Sequence, residues 1–378
     1  MKLVVTTAIY PPEVGGPATY VERLLRTLGD NGYLATAIST DPFESSVETI
    51  VAGELHRVSR AQPLLLRMSR FTGKGIVAAR KADVIYANGC YLESLIASKS
   101  TRTRLVIKVV GDYSWETAYN DGKTQLDISS YQHRPAPDRK ARLIRRLQKV
   151  WCRSADRIIV SSQFLQQIVE GWGVPRQSIS VIPNPVEIPS APPRFQVREP
   201  PNGVVSAITG GRFLGWKRFD HLIRVAAATP NLTLAIVGSG EEEDFLRDRI
   251  RQSNVEDRVT LLPPRSPTQM DELYRQFDVF MLASSSDTFS YMTIEAMAAG
   301  LPALVGDLGA LPETCGGGRW GLVLPAEDVS PWSQAIADLG ANPDRYRTLA
   351  SSGYEAARDY FDWEGIYRRT MDLLLDVA

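Results

Sequence analysis

Short apolar runs rich in β-branched residues alternate with helix-patterned stretches from one end of the chain to the other. No other feature narrows the fold as much. In the first half the runs are 3–9, 35–40, 83–88, 104–111, 156–162 and 180–184; in the second they are 204–210, 232–238, 259–263, 279–284, 302–306 and 321–325. Most are continuously apolar, as strands are when helices bury both faces of a parallel sheet. The expectation is an α/β protein with two Rossmann-like, doubly wound parallel sheets facing a central cleft. At 378 residues the chain also exceeds the size at which one core keeps growing. Between the two sets of runs lies PNPVEIPSAPPRFQVREPPNG, residues 183–203, whose seven prolines cannot supply ladder N–H groups. The expected domains are therefore 1–195 and 196–361, with a C-terminal helix at about 362–378 packing back onto the first.

The 43 basic and 43 acidic residues balance, so no global charge favours nucleic acid as a partner. The halves do not balance: residues 1–190 hold 25 Lys and Arg against 17 Asp and Glu, and the remainder holds 18 against 26. The first half is the one suited to an anionic partner. Cys90, Cys152 and Cys315 are widely spaced and include no CxxC pair, which argues against a disulfide framework or a zinc site and suits a reducing cytoplasm. The opening run Leu3–Ile9 leads into prolines and glycines rather than a cleavage site, and no stretch approaches the roughly 18 apolar residues of a membrane span. A cytoplasmic protein is expected, with any membrane contact peripheral. DRKARLIRRLQKVWCR, residues 138–153, suits such a contact: it has seven basic residues, and Leu143, Ile144, Leu147, Val150 and Trp151 recur at helical spacing. Its basic face reads either as solvated surface or as a dock for anionic lipid on the inner face of the membrane.

In doubly wound sheets ligands sit beyond the carboxyl ends of the strands, so the loops that follow strands are where chemistry belongs. The first, YPPEVGGPATYVERLL, sets Gly15 and Gly16 before a helix, either as a tight turn or as a close approach to an anionic ligand. The second, GGRFLGWKRFDHLIRVA, places Arg212 and Lys217 five residues apart. Two such cations can stabilise the charge that builds on a diphosphate leaving group, although most Arg and Lys residues are simply solvated. The third, IVGSGEEEDFLRD, offers Gly238, Ser239 and Gly240 as a turn or a nucleotide contact, and its acidic run 241–244 suits a helix N-terminus. The fourth, SSSDTFSYMTIEAMAAGLPALVGDLGALPE, is the most informative. Asp287 and Glu295 stand eight residues apart across a loop and a helix start, and their carboxylates suit paired hydroxyls of a sugar or ribose. Amides around Ser290, Tyr291, Met292 and Thr293 can meet a phosphate, and capping by Asp287 or Ser290 accounts for part of the same pattern.

With these residues in view, the sequence resembles glycosyltransferase family 4, the retaining enzymes of GT-B fold. The match runs from the GG loop through VSSQF, VIPNPV, GRF…K and VGSG to the block from Phe280 to Pro325. The resemblance implies a hexosyltransferase in which Arg212 and Lys217 grip the donor diphosphate, Glu295 holds the ribose hydroxyls and Asp287 contacts the transferred sugar. The remaining donor contacts would come from Gly15, Gly16, Gly238, Ser239 and Phe289 to Thr293. Uridine-diphosphate sugars are the first expectation for the donor and guanosine-diphosphate sugars the second. The acceptor would be a glycan or other carbohydrate, a lipid-linked molecule or a small molecule, with no cofactor.

There are departures from the family pattern. Asp287 replaces the usual glutamate, Phe289-Ser290 replaces phenylalanine-glycine, and the histidine often found after the fourth strand has no counterpart in IKVVGDYSWE. Asp112 in that stretch is a candidate catalytic or acceptor-side contact, or else a turn or cap residue. No DxD triplet occurs to hold a divalent ion against a diphosphate, so a metal-independent transfer is expected. His56, His133 and His221 fall in no recognisable site. The competing readings are a sugar-nucleotide epimerase of the same architecture and a non-catalytic sugar-nucleotide-binding protein.

Overall fold

The computed structural model describes residues 1–13, 15–189 and 203–378. Two compact units emerge. The first comprises Met1–Gln125, Arg134–Ile182 and Tyr367–Ala378; the second comprises Leu126–His133 and Pro183–Ile366. The boundary expected near residue 195 lies outside the described residues.

The sheet of the first unit contains β1 (Lys2–Thr7), β2 (Leu34–Asp41), β3 (Val47–Ile50), β4 (Gly53–Ser59), β5 (Val84–Asn88), β6 (Arg104–Val109), β7 (Arg157–Val160) and β8 (Ile179–Val181). Its order is β3-β4-β2-β1-β5-β6-β7-β8, parallel throughout except for the β3–β4 pair. All six runs of the first half are strands. The β3–β4 hairpin was not among them. Its β3 strand is an almost wholly exposed edge, and β4 interrupts its apolar residues with Glu54, His56 and Arg57, so neither reads as a buried run.

The sheet of the second unit contains β9 (Val205–Arg212), β10 (Leu232–Ser239), β11 (Val259–Leu262), β12 (Val279–Leu282), β13 (Ala303–Gly306) and β14 (Leu322–Leu324). Its order is β11-β10-β9-β12-β13-β14, with parallel pairing throughout. Val279 and Met281 enter one core with Leu222, Leu246 and Trp332. The alternate residues Phe280 and Leu282 enter the other with Tyr274, Ile294 and Met297. Both faces are filled, which is why these strands show no alternation in the sequence. Fully burying each such side chain stabilises the fold by about 1.5 to 3 kcal/mol, before the conformational entropy it loses.

The strand order reverses between β9 and β12 in this sheet and between β1 and β5 in the first. At such a switch point the flanking connections leave toward opposite faces and open a crevice at the carboxyl ends of the strands. The loops after β9 and β12 therefore bound one crevice.

Candidate active site

The loop after β9 turns sharply because the next loop lies against it. Ser239 at the end of β10 accepts from the Phe213 N–H (2.9 Å), and the Phe213 carbonyl accepts from the Glu242 N–H (3.1 Å). A Cβ at Gly238 would stand 1.9 Å from the Gly211 carbonyl oxygen, and one at Gly240 would stand 2.6 Å from the Phe213 backbone. The VGSG glycines thus let two loops touch, and Ser239 lies at that junction. The acidic residues after them, Glu243 and Asp244, occupy the first turn of the Glu243–Gln252 helix, as a helix N-terminus favours.

Beyond Arg212 the chain makes a single 3-10 turn, Gly215–Lys217, then enters the Phe219–Ala228 helix through Arg218 in the left-handed region (φ 56°). The turn is pinned from β12: the Trp216 carbonyl accepts from the Ser285 N–H at 2.9 Å and from the Ser284 hydroxyl at 3.2 Å. This brings Lys217 Nζ to 2.8 and 2.9 Å from the two carboxylate oxygens of Asp287. The side chains are 15% and 8% exposed, so the pair is largely withdrawn from water. The Trp216 ring lies under the same ammonium at 4.5 Å, adding a cation–π contact. Arg212 is exposed at the carboxyl end of β9, and no ion pair involves it among the described residues. Sequence reasoning gave Arg212 and Lys217 one shared task on the diphosphate. The structure distinguishes them, one free and one held by Asp287.

Ser290 caps the Tyr291–Ala298 helix, accepting from the Thr293 N–H, and bonds the Thr293 hydroxyl at 2.7 Å; Tyr291 and Met292 form the first turn behind it. Phe289 packs edge-on against Tyr291 (5.1 Å) and Phe361 (6.2 Å). Glu295 lies one turn further along the helix, partly buried, and accepts from the Tyr274 hydroxyl at 3.4 Å. Burial raises its pKa, and the Tyr274 hydrogen bond offsets only part of that rise. Tyr274 is fully buried on the Pro267–Tyr274 helix, and sequence reasoning missed it because no motif marks it. The same is true of Ile128, whose N–H donates to Ser286 Oγ (3.2 Å) from a short helix, Ile128–Gln132. That segment groups with the second unit although its neighbours on both sides in sequence belong to the first.

In the first unit Gly15 is the N-cap of the Gly16–Asp30 helix; a Cβ there would stand 2.9 Å from Ile9 Cδ1. Asp112 needs correction as a catalytic candidate. Its side chain is completely buried and accepts from the Ser114 and Trp115 N–H groups (2.8 and 3.0 Å) and from Gln148 Nε2 (3.2 Å). It caps the Tyr113–Asn120 helix, and the cap reading replaces the catalytic one.

A stronger signal was overlooked inside LVIKVV. Lys108 is 1% exposed, and its Nζ has no hydrogen-bond partner among the described residues and stands 3.8 Å from the Tyr20 ring centroid. Burial pushes its pKa down to about 7. Asn88, one residue past the Ala87–Ile107 pair of β5 and β6, is its cross-strand neighbour and is buried with both amide atoms unpartnered. A lone lysine in an otherwise apolar strand was the clue. The thiols offer no nucleophile, since burial raises all three and takes Cys315 to about 12.

Residues 14–188 match the family described as Glycosyltransferase Family 4, and residues 194–356 match Glycosyl transferases group 1. The chain is 29% identical over 213 residues to a D-inositol 3-phosphate glycosyltransferase of Nocardia farcinica, covering 52% of this chain and 47% of that protein. It is 34% identical over 134 residues to the protein of that name from Mycobacteroides abscessus, covering 34% of this chain and 30% of that one. The matched segment thus spans half or less of these relatives' length. Among solved structures, Anabaena Alr3699/HepE in complex with UDP superposes with a TM-score of 0.77 at 20% identity over 100% of both chains. Sucrose-phosphate synthase from Thermosynechococcus elongatus superposes with a TM-score of 0.78 at 20% identity, over 100% of this chain and 98% of that one. The fold is therefore GT-B.

Proposed function

Because the chain belongs to glycosyltransferase family 4, we propose that it moves a sugar from a nucleotide-diphosphate donor to a carbohydrate or lipid-linked acceptor, retaining anomeric configuration and using no metal. The observation that carries this reading is the juxtaposition at the β9–β12 switch point of an unpaired Arg212, the Lys217–Asp287 pair and the N-terminus of the Ser290-capped helix. Arg212 offers a planar fork to two phosphate oxygens, and Lys217 offers a compact charge that Asp287 aims. When the sugar–phosphate bond breaks, negative charge grows on the diphosphate where these cations lie. Among the described residues no three His, Cys, Asp or Glu side chains gather as metal ligands do. Asp287, neutralised by Lys217 before the donor arrives, can share that ammonium with the phosphate and turn an oxygen toward the sugar hydroxyls.

Uridine-diphosphate sugars are the donor we favour, supported by the UDP in the Anabaena complex; guanosine-diphosphate sugars come second. Glu295 gives the test. Its raised pKa means the folded state binds a proton the unfolded state has released. That contribution to stability is present below the ordinary carboxylate range and is lost as pH rises through the raised value. Glu295→Gln is therefore expected to stabilise the ligand-free protein at pH 7.5 and to flatten the mildly acidic part of its stability profile. Replacing the charged two-oxygen acceptor of the ribose hydroxyls by a neutral amide should also weaken UDP binding by about tenfold. Thermal melts at pH 5 and pH 7.5, with and without UDP and GDP, read both effects. Stabilisation of the wild type by GDP alone would displace the uridine reading, and undiminished UDP stabilisation of the variant would remove Glu295 from the ribose.

The 138–153 segment forms the Arg139–Ser154 helix, but its apolar residues do not make one packed face. Ala141, Gln148 and Cys152 are buried and Trp151 packs on Tyr91, whereas Leu143 and Val150 are 57% and 51% exposed beside Arg142 and Arg146. An exposed surface mixing apolar and basic side chains suits the headgroup boundary of an anionic bilayer, and peripheral binding there is part of our reading. Arg145 is occupied with the Arg134 carbonyl (2.6 Å), so the reversal test belongs at Arg142 and Arg146. Arg142→Glu with Arg146→Glu should reduce cosedimentation with phosphatidylglycerol vesicles at least tenfold; unchanged sedimentation would end this part of the proposal.

A further inference from the structure

On the first unit a groove of about 890 Å3 opens along the flank of the Leu64–Ala79 helix, over the beginnings of β1, β2 and β4. It lies at the opposite ends of the strands from the candidate loops. Its lining includes the buried apolar residues Leu3, Ala35 and Val58 and the exposed Leu34. Its wall follows one face of the helix and the turn after it, Arg70, Gly73, Lys74, Val77, Ala78 and Lys81.

Gly73 is the unexpected member. A glycine in the middle of a helix weakens it relative to alanine, so its presence calls for a reason. Gly75, two residues on, has one: a Cβ there would press on Ala97 at 3.3 Å. At Gly73 a Cβ would meet nothing within 4 Å. No packing excludes a side chain at 73; what its absence does is keep the groove open.

The rim carries Lys2, Arg70, Lys74 and Lys81 against the carboxylate of Glu54, with that of Asp83 beside it accepting from the Lys2 backbone N–H at 2.8 Å. Glu54 is already bonded to His56 at 3.0 Å, and Lys74 reaches only the other ring nitrogen at 3.2 Å. None of the four cations has an ion-pair partner among the described residues. An apolar trough with an unneutralised cationic lip is complementary to an amphiphile with an anionic head. The helix itself points to the source, for it contains no acidic residue and exposes Leu64, Leu65 and Leu66 (57%, 80% and 44%) next to Arg67. A ligand arriving from water would give no use to three adjacent leucines in solvent, whereas a bilayer would bury them.

We propose that this groove holds one acyl chain of an acidic membrane phospholipid, with the headgroup phosphate on Arg70, Lys74 and Lys81. The inference rests on the peripheral-membrane reading above and adds to it a discrete lipid site on a different helix.

The probe is monomeric dioctanoylphosphatidylglycerol, titrated into the full chain by calorimetry alongside dioctanoylphosphatidylcholine and inorganic phosphate. Saturable binding of the acidic lipid is expected, at least tenfold weaker for the zwitterionic lipid and undetectable for phosphate. Gly73→Leu should raise the melting temperature while weakening the acidic lipid at least tenfold. Val77→Trp, at a position 64% exposed and therefore safe for folding, should weaken it likewise. Acidic-lipid binding unchanged in both variants, equal binding of the two lipids, or phosphate binding as tightly as lipid would each overturn the proposal. Arg142→Glu with Arg146→Glu separates it from the broader reading, since that variant should lose vesicles yet keep the monomeric lipid. Wild-type protein that sediments with vesicles but binds no monomeric lipid refutes the groove alone; monomer binding without sedimentation refutes the helix dock and leaves the groove.

Discussion

Alanine at Arg212 or at Lys217, assayed with chelator present throughout, is expected to lower turnover by a factor on the order of a hundred to a thousand, the usual consequence of removing one fixed donor to developing charge. The attraction of both cations for the diphosphate grows as the sugar leaves, so turnover should fall more than donor affinity does. The two variants should not behave alike. Arg212 has no ion-pair partner in the ligand-free protein, and its removal subtracts a phosphate contact and little else. Removing Lys217 also strands the Asp287 carboxylate, 8% exposed, without its counter-ion. Lys217→Ala should therefore lose stability as well as turnover, and Arg212→Ala only turnover. Steady-state kinetics with melts of both variants decides. Near-normal turnover in both, or wild-type activity abolished by chelator, would return the reaction to an unrecognised metal site.

Asp287→Ala is expected to destabilise the ligand-free protein by about 3 kcal/mol, because breaking a buried pair leaves the ammonium uncompensated in a poorly solvated place. In that variant UDP should recover more stability than it adds to the wild type, since the diphosphate supplies the anion Lys217 has lost. Transfer should nevertheless fall steeply, because nothing then positions Lys217 or meets the sugar hydroxyls. Urea unfolding with and without UDP reads the first two effects and sugar transfer reads the third. Equal UDP stabilisation in the variant and the wild type would mean that Lys217 does not face the diphosphate.

Both experiments bear on a pair that sequence reasoning did not connect. Arg212, Lys217, Asp287, Ser290 and Glu295 were all legible as candidates, because a strand followed by a polar or glycine-bearing loop and a helix start is a local pattern. That Lys217 bonds Asp287 is not local. It follows from the Trp216 carbonyl accepting from Ser284 and Ser285 across the β9–β12 switch. Asp112 shows the reverse: a carboxylate before a helix serves as a cap or a catalyst equally well on paper, and only its complete burial against two backbone amides decides. Tyr274, Ile128 and Asn88 carried no signature at all, since ordinary residues become part of a site only through what the fold brings beside them.

What the sequence by itself determined is the fold class and the position of twelve of the fourteen strands, together with the loops where chemistry is to be sought. Hydrophobic runs and glycine-bearing turns are short-range, and continuous apolar runs alternating with helical stretches point to parallel strands buried on both faces; the order in which they pair comes from the structure. What only the tertiary structure decided is the partnering of charge: Lys217 with Asp287, Asp112 with its helix, Lys108 with none, and the unneutralised rim around Gly73. The reason is physical. A side chain's charge acts over a few ångströms of folded space, and the groups within that distance come from elements far apart in sequence, seventy residues in the case of Lys217 and Asp287.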